Sequence, residues 1–170
     1  RQMCIRDRSS RIILKVGSSL LINENNNDIN YHWLKNFSKE IQSLTDKKKQ
    51  IMIVSSGSVA LGRKQLNLVK NLSLDEKQAA AAVGQIHLSH AWKEVLKSFN
   101  LESAQILLAP DDTETRRKHL NARATLLKLL QLNVIPVINE NDTVSTDEIK
   151  FGDNDSCLLY TSDAADDVEC

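Results

Sequence analysis

Three stretches of the chain combine residue types that catalysis and anion binding use. The first is KVGSS (15–19): Lys15 offers a point charge, Gly17 a backbone open to close approach, and Ser18 and Ser19 two hydroxyls. Phosphate recognition uses those parts, although a solvated lysine ahead of a turn uses the same letters. The second, SSGSVALG (55–62), follows an apolar run and leads into a helix, so Ser56 and Gly57 sit where free helical N–H groups would meet a carboxylate or phosphate. Tight helix–sheet packing is the alternative. Gly57 and Gly62 have the spacing of a P-loop, but Arg63 and Lys64 stand where Lys and Ser/Thr are required, which excludes a Walker A motif. The third is NENDTVSTDEIKFGDND (139–155), in which Asp142, Asp147, Glu148, Asp153 and Asp155 alternate with Asn139, Asn141 and Asn154. Carboxylates beside a phosphate site could hold an ammonium group, coordinate Mg²⁺ or orient a catalytic lysine; a plain acidic surface loop is the alternative. Together the three suggest a ligand with anionic and cationic ends beside a phosphate, such as an amino acid being phosphorylated. A carboxylate nucleophile is already ionised near neutral pH. Catalysis then reduces to positioning and charge neutralisation by lysines, N–H groups and Mg²⁺.

These stretches must be held by regular elements, and the apolar periods say which. RIILKV (11–16), IMIVSS (51–56), AQILLA (104–109) and VIPVIN (134–139) are short, nearly unbroken apolar runs suited to strands buried on both faces. Between the first two lies an asparagine-rich polar stretch, Asn23 to Asn30. Trp33, Leu34, Phe37, Ile41 and Leu44 then follow a helical spacing that closes on Lys47, Lys48 and Lys49. Ser73 and Glu76 have the spacing of a capping box ahead of a long helix through KQAAAAVGQIHLSHAWKEVLKSF. Gly84 inside it costs about 1 kcal/mol against alanine, so a close contact is expected there. A further helix is expected over 117–130. Pro136 removes a ladder donor, which predicts an edge position or a bulge for the fourth strand. Strand alternating with helix predicts an α/β fold with a mainly parallel sheet. Such sheets bind ligands beyond the carboxyl ends of their strands, where Lys15–Ser19, Ser55–Ser58, Ala109–Asp112 and Asn139–Asp142 lie.

Composition narrows the class. The 170 residues are 41% hydrophobic and 26% charged, within the range of a single globular domain. Its 22 basic and 22 acidic residues cancel, so no broad cationic face is offered to nucleic acid or to an anionic membrane. No apolar run approaches the roughly 20 residues that cross a bilayer. Cys4, Cys157 and Cys170 leave the body free of cysteine, which suits a reducing, cytoplasmic setting. His87 and His90 share a helix face without a completing ligand, so no zinc site is expected. Arg116, Arg117 and Lys118 read as a solvated helix start, or as part of a substrate lid. No G-x-S-x-G elbow and no G-x-G-x-x-G after the first strand is found. Residues 1–10 and 157–170 lack any core period and read as non-native tails, leaving 11–156 as the body.

KVGSSLL, IVSSGSVALGR, KQAAAAVGQ, LNARATLLKLL and VIPVINENDTVSTDEIKFGDND, in that order, resemble the glutamate 5-kinases of the amino acid kinase superfamily. The kinase domain of the pyrroline-5-carboxylate synthases is similar. The resemblance runs from about Arg11 to Ser156; its last motif is highly specific, whereas KVGSS and SSG mark only the superfamily. It implies a three-layer αβα sandwich, truncated on its C-terminal side, and transfer of the γ-phosphoryl of ATP to the side-chain carboxylate of L-glutamate, with Mg²⁺. The product, glutamyl 5-phosphate, opens proline synthesis, with proline the usual feedback inhibitor and a homo-oligomer expected of the full-length protein. Lys15 corresponds to the lysine that neutralises the transferring phosphoryl. Ser56, Asp142 and Asn154 match glutamate-binding positions. Asp155 matches the aspartate that orients the catalytic lysines, and Gly17 and Gly57 bring backbone N–H groups to phosphate and substrate. After GDND the family continues into a second part that carries most of the ATP site, so these 170 residues are expected to be inactive alone. A non-catalytic module binding glutamate or proline, and a kinase acting on another substrate such as aspartate, are the competing expectations.

Overall fold

A computed structural model of the chain describes residues 10–23, 28–69, 71–109 and 115–144. Four parallel strands form its sheet: β1 (Arg11–Val16), β4 (Gln50–Ser55), β6 (Val134–Glu140) and β5 (Glu102–Leu108), side by side in that order. Between β1 and β4 the chain passes through a one-turn helix α1 (Ser18–Leu21), a two-residue antiparallel ribbon of β2 (Ile22–Asn23) and β3 (Asp28–Ile29), and helix α2 (Tyr31–Asp46). Helices α3 (Ser58–Gln65) and α4 (Leu74–Lys97) connect β4 to β5, and α5 (Arg116–Gln131) connects β5 to β6.

Side-chain alternation along each strand splits the apolar residues between two layers. Ile12, Leu14, Val16, Ile51, Ile53, Ile135 and Val137 pack with residues of α2, α3 and α4 around the fully buried Trp92. On the opposite face Ile13, Met52, Val54, Ile106, Leu108 and Ile138 pack against Ala122, Leu126 and Leu130 of α5. Helices therefore cover both faces, the arrangement that lets strands be apolar on both sides. This is the expected α/β fold, a sheet between two helical layers.

Local chemistry explains the boundaries. Asn30 caps α2 by accepting from the Trp33 N–H at 3.1 Å, and Lys47 to Lys49 lie at and beyond its C-cap, with Lys48 in the left-handed region. The Ser73 N–H donates to the Glu76 carboxylate at 2.9 Å, completing the capping box of α4. Trp33 stacks on Phe37, whose ring meets Trp92 edge-on at 6.2 Å. The Trp92 indole N–H donates to the buried Ser55 hydroxyl at 2.9 Å, fixing the end of β4 from below.

One expectation is corrected. Pro136 lies neither on an edge strand nor at a bulge: β6 is interior, and its register with β5 runs unbroken from Glu102↔Val134 to Leu108↔Glu140. The missing donor is tolerated because pairing with β4 begins one residue later, at Ile53↔Val137. The asparagine-rich stretch, in turn, carries the ribbon of β2 and β3 at its ends. Residues 1–9 and 145–170 lie outside the described residues, and with them the three cysteines and the second half of the polar tract. Among the described residues no helix is long and apolar enough to cross a membrane.

Candidate functional site

Parallel pairing puts the carboxyl ends of β1, β4 and β6 at one edge of the sheet, and the Ser56 N–H ties two of them by donating to the Val16 carbonyl at 3.1 Å. Beyond this edge lies a cavity of about 190 Å³ lined by Ser18, Ser56, Gly57, the first turn of α3, Asn139, Glu140 and Asp142. Gly57 turns the chain from β4 into α3 with φ of 117°, a conformation side chains resist, and a Cβ there would also press on Ile22 at 2.9 Å. Ser58, Val59 and Ala60 follow, and the N–H groups of a first helical turn have no partner within the helix. The floor of the cavity is therefore a donor surface.

The same cavity holds two carboxylates, Asp142 and Glu140. Asp142 is partly buried beside Ser58, whose hydroxyl donates to its Oδ2 at 3.0 Å. Burial raises the Asp142 pKa above the ordinary carboxylate value, and the Ser58 hydrogen bond opposes that rise. Helical N–H donors and the carboxylates of Asp142 and Glu140 within one cavity suit a ligand with an anionic and a cationic end.

Stability should report this burial. The folded chain holds the Asp142 proton to higher pH than the unfolded chain does, so this group's contribution to stability is full below the ordinary carboxylate range. It declines as pH rises through the raised value. Asp142→Asn should accordingly raise Tm at neutral pH, with the gain vanishing below the ordinary carboxylate pKa of about 3.9. Thermal melts across that range check it; an unchanged or lowered Tm at neutral pH would contradict the burial.

Of the residues singled out by sequence, Ser56, Gly57 and Asp142 meet in this cavity. Gly17 caps α1 next to Ser18, with only Ser19 Oγ within 4 Å of where its Cβ would stand. Lys15 is exposed near the end of β1, in register with Val54 and on the sheet face it shares with Ile13; it is not among the residues lining the cavity. Asn154 and Asp155 lie outside the described residues. Sequence reasoning did not single out Ser58, Glu140 or Gln85, and it treated Asn139 only as part of the tract. The Asn139 amide donates to Gln85 Oε1 at 2.7 Å and to Ser58 Oγ at 3.4 Å. One sequence signal could have found Gln85: it shares the helical stripe of Ala81, Leu88 and Trp92, all buried. His87 and His90 are exposed, and His90 Nδ1 lies 3.3 Å from Glu94. Among the described residues no group of three or more His, Cys, Asp and Glu could hold a metal.

The amino acid kinase family model matches residues 10–165, nearly the whole chain. The chain belongs to that family. The glutamate 5-kinase of Paramagnetospirillum magneticum is 50% identical over 147 residues, which cover 86% of this chain and 40% of that one. The glutamate 5-kinase of Rhodopseudomonas palustris (strain BisB5) is 52% identical over 146 residues, covering 85% and 39%. This amino acid kinase family member thus spans about two fifths of the length of these relatives. A solved isopentenyl phosphate kinase shares the fold, with a TM-score of 0.51 at 14% identity over 76% of this chain and 56% of that one. A kinase family uses a nucleotide and a metal in general terms. The described cavity bears on how these residues fit that use. At about 190 Å³ it suits an amino acid or a phosphoryl group but falls below the roughly 300–1,000 Å³ of sites that enclose larger ligands.

Proposed function

We propose that these residues form the amino acid side of a glutamate 5-kinase that transfers the γ-phosphoryl of ATP to the side-chain carboxylate of L-glutamate. What carries the reading is the cavity at the sheet edge, where Asp142 faces the first turn of α3, in a chain about half identical to glutamate 5-kinases. Asp142, with Asn154, takes the ammonium end of the substrate. Ser56 and Gly57 present a hydroxyl and a backbone N–H to its carboxylates. A carboxylate oxygen of glutamate attacks the γ-phosphorus, the bond from phosphorus to the β-phosphate bridging oxygen breaks, and ADP leaves. No proton has to be removed from the nucleophile. Lys15 neutralises charge on the transferring phosphoryl, Gly17 offers it a backbone N–H, and Asp155 orients the catalytic lysines.

ATP brings the phosphoryl donor, and Mg²⁺ neutralises its phosphates. Lys15 and Gly17 would stand at the phosphoryl end, while the size of the cavity leaves the rest of the nucleotide to other parts of the protein. Glutamyl 5-phosphate is then the first intermediate of proline synthesis, proline a feedback inhibitor, and the full-length protein a cytoplasmic homo-oligomer. The 170 residues alone hold the amino acid without turning it over.

Trapping the acyl phosphate with hydroxylamine tests the reading. In a protein of the relatives' full length that carries these residues, hydroxamate should form only with ATP and L-glutamate together. The 170-residue chain should bind L-glutamate by calorimetry and form none. Turnover of aspartate or N-acetylglutamate in place of glutamate would assign the site to a different substrate. Glutamate binding indifferent to Mg-ATP in the full-length protein would make it a non-catalytic module.

A further inference from the structure

A line of hydrogen bonds runs from the α4 helix to the cavity: Gln85 Oε1, the Asn139 amide, the Ser58 hydroxyl and Asp142 Oδ2. We infer that Gln85 and Ser58 are positioning residues for Asp142, Gln85 acting by fixing the amide of Asn139 so that Ser58 must give its one proton to the carboxylate. The inference rests on the reading of Asp142 as the ligand for the cationic end of the substrate.

The polarity follows from the donor inventory. An ionised carboxylate only accepts, so the Ser58 hydroxyl is the donor at 3.0 Å and its oxygen is left to accept. The atom of Asn139 facing that oxygen at 3.4 Å is then its NH₂, and the second hydrogen of the same group needs an acceptor. Gln85 Oε1 at 2.7 Å is that acceptor. Ser58 and Asn139 are 2% and 3% exposed, so each depends mainly on its protein partners.

Among the described residues that line the cavity, no other charged group is placed to do this work. Around Asp142, β6 contributes Glu140, the other titratable residue among those lining the cavity, while α1 and α3 contribute serines and small or apolar residues. From α4 the network receives a neutral amide. If position 85 loses its acceptor, the Asn139 amide is free to turn its carbonyl toward Ser58, whose proton then goes to Asn139. Asp142 is left partly buried with no donor, and its negative form is disfavoured.

The test follows the Asp142 carboxyl by carbon-detected NMR titration in this chain, native and as Gln85→Leu, Ser58→Ala and the double variant. Both single variants should move its midpoint upward, and the double should move it no further than Ser58→Ala alone, because Gln85 acts through Ser58. Gln85→Met, which keeps the length of the side chain, serves if leucine does not fold. A native midpoint in the position-85 variants, or additive shifts in the double, would overturn the inference. In the full-length enzyme Gln85→Leu should raise KM for L-glutamate about tenfold while kcat stays within about twofold. A shifted midpoint with an unchanged KM would support the network and overturn the reading of Asp142 as a substrate ligand. An unmoved midpoint removes the network whatever KM does.

Discussion

On the proposed glutamate 5-kinase reading, Lys15→Ala in a protein of the relatives' full length should lower kcat about a hundred- to a thousandfold while KM for L-glutamate changes only about twofold. Removing a preorganised charge that meets the transition state has effects of that size. The split between kcat and KM follows from the role proposed for Lys15, a contact made as phosphorus changes partners and not when glutamate binds. The geometry behind the expectation is local: Lys15 is next to Val16, whose carbonyl anchors the Ser56 N–H, so β1 and the loop that carries Ser56 share one backbone bond. Yet Lys15 is not among the residues lining the cavity at the sheet edge, which is why KM should hardly move. Steady-state kinetics at saturating glutamate decide it, and near-normal kcat would remove Lys15 from the chemistry.

The second large effect is on the fold. Gly84→Val should destabilise the chain by about 3 kcal/mol or more, a fall in Tm of roughly 10 °C for a domain of this size. Helix propensity alone predicts a different result, since glycine is the poorest residue for a helix interior after proline. Packing wins because α3 and α4 cross with their backbones in contact: a Cβ on Gly84 would overlap the Ser58 carbonyl, and one on Gly62 the Ala80 carbonyl. The same crossing brings Ser58 to Asp142, so prising the helices apart loosens the site as well as the core. Gly17→Ala is the contrast, with φ of −72° and open space around the added methyl, and its stability should stay within about 0.5 kcal/mol of native. Thermal unfolding of the two variants measures both. Equal effects would mean that the crossing tolerates a side chain.

Much of this was legible in the letters. Strands that are buried on both faces must be apolar at successive positions, so RIILKV and VIPVIN announced themselves, and a parallel sheet then put the carboxyl ends of its strands at one edge. Ser56, Gly57 and Asp142 came together for that reason. The close contact at Gly84 was readable too, because glycine in a strong helix needs a cause. Pro136 misled because the rule against proline in interior strands depends on which neighbour is paired at that residue, and register is a tertiary fact. Ser58 was hidden by its neighbours: in SSGSVALG, position 58 looks like a helix start, and only the folded chain reveals that its hydroxyl meets a carboxylate 84 residues away. Gln85 was hidden among alanines, although its place on a buried stripe marked it as a polar residue in need of a partner.

What matters most is whether the amino acid lodges at the carboxyl edge of the sheet. A second cavity, of about 460 Å³, lies at the opposite edge between Lys48, Lys49, Asn100 and Asn133, so the choice is a real one. Titrating the nitrogen-labelled chain with L-glutamate and following backbone amide shifts separates the two. Saturable shifts at Ser56, Gly57 and Ser58, abolished by Asp142→Ala, are the predicted result. Shifts gathered around Lys48, Asn100 and Asn133, with Ser56 to Ser58 unmoved, would contradict it.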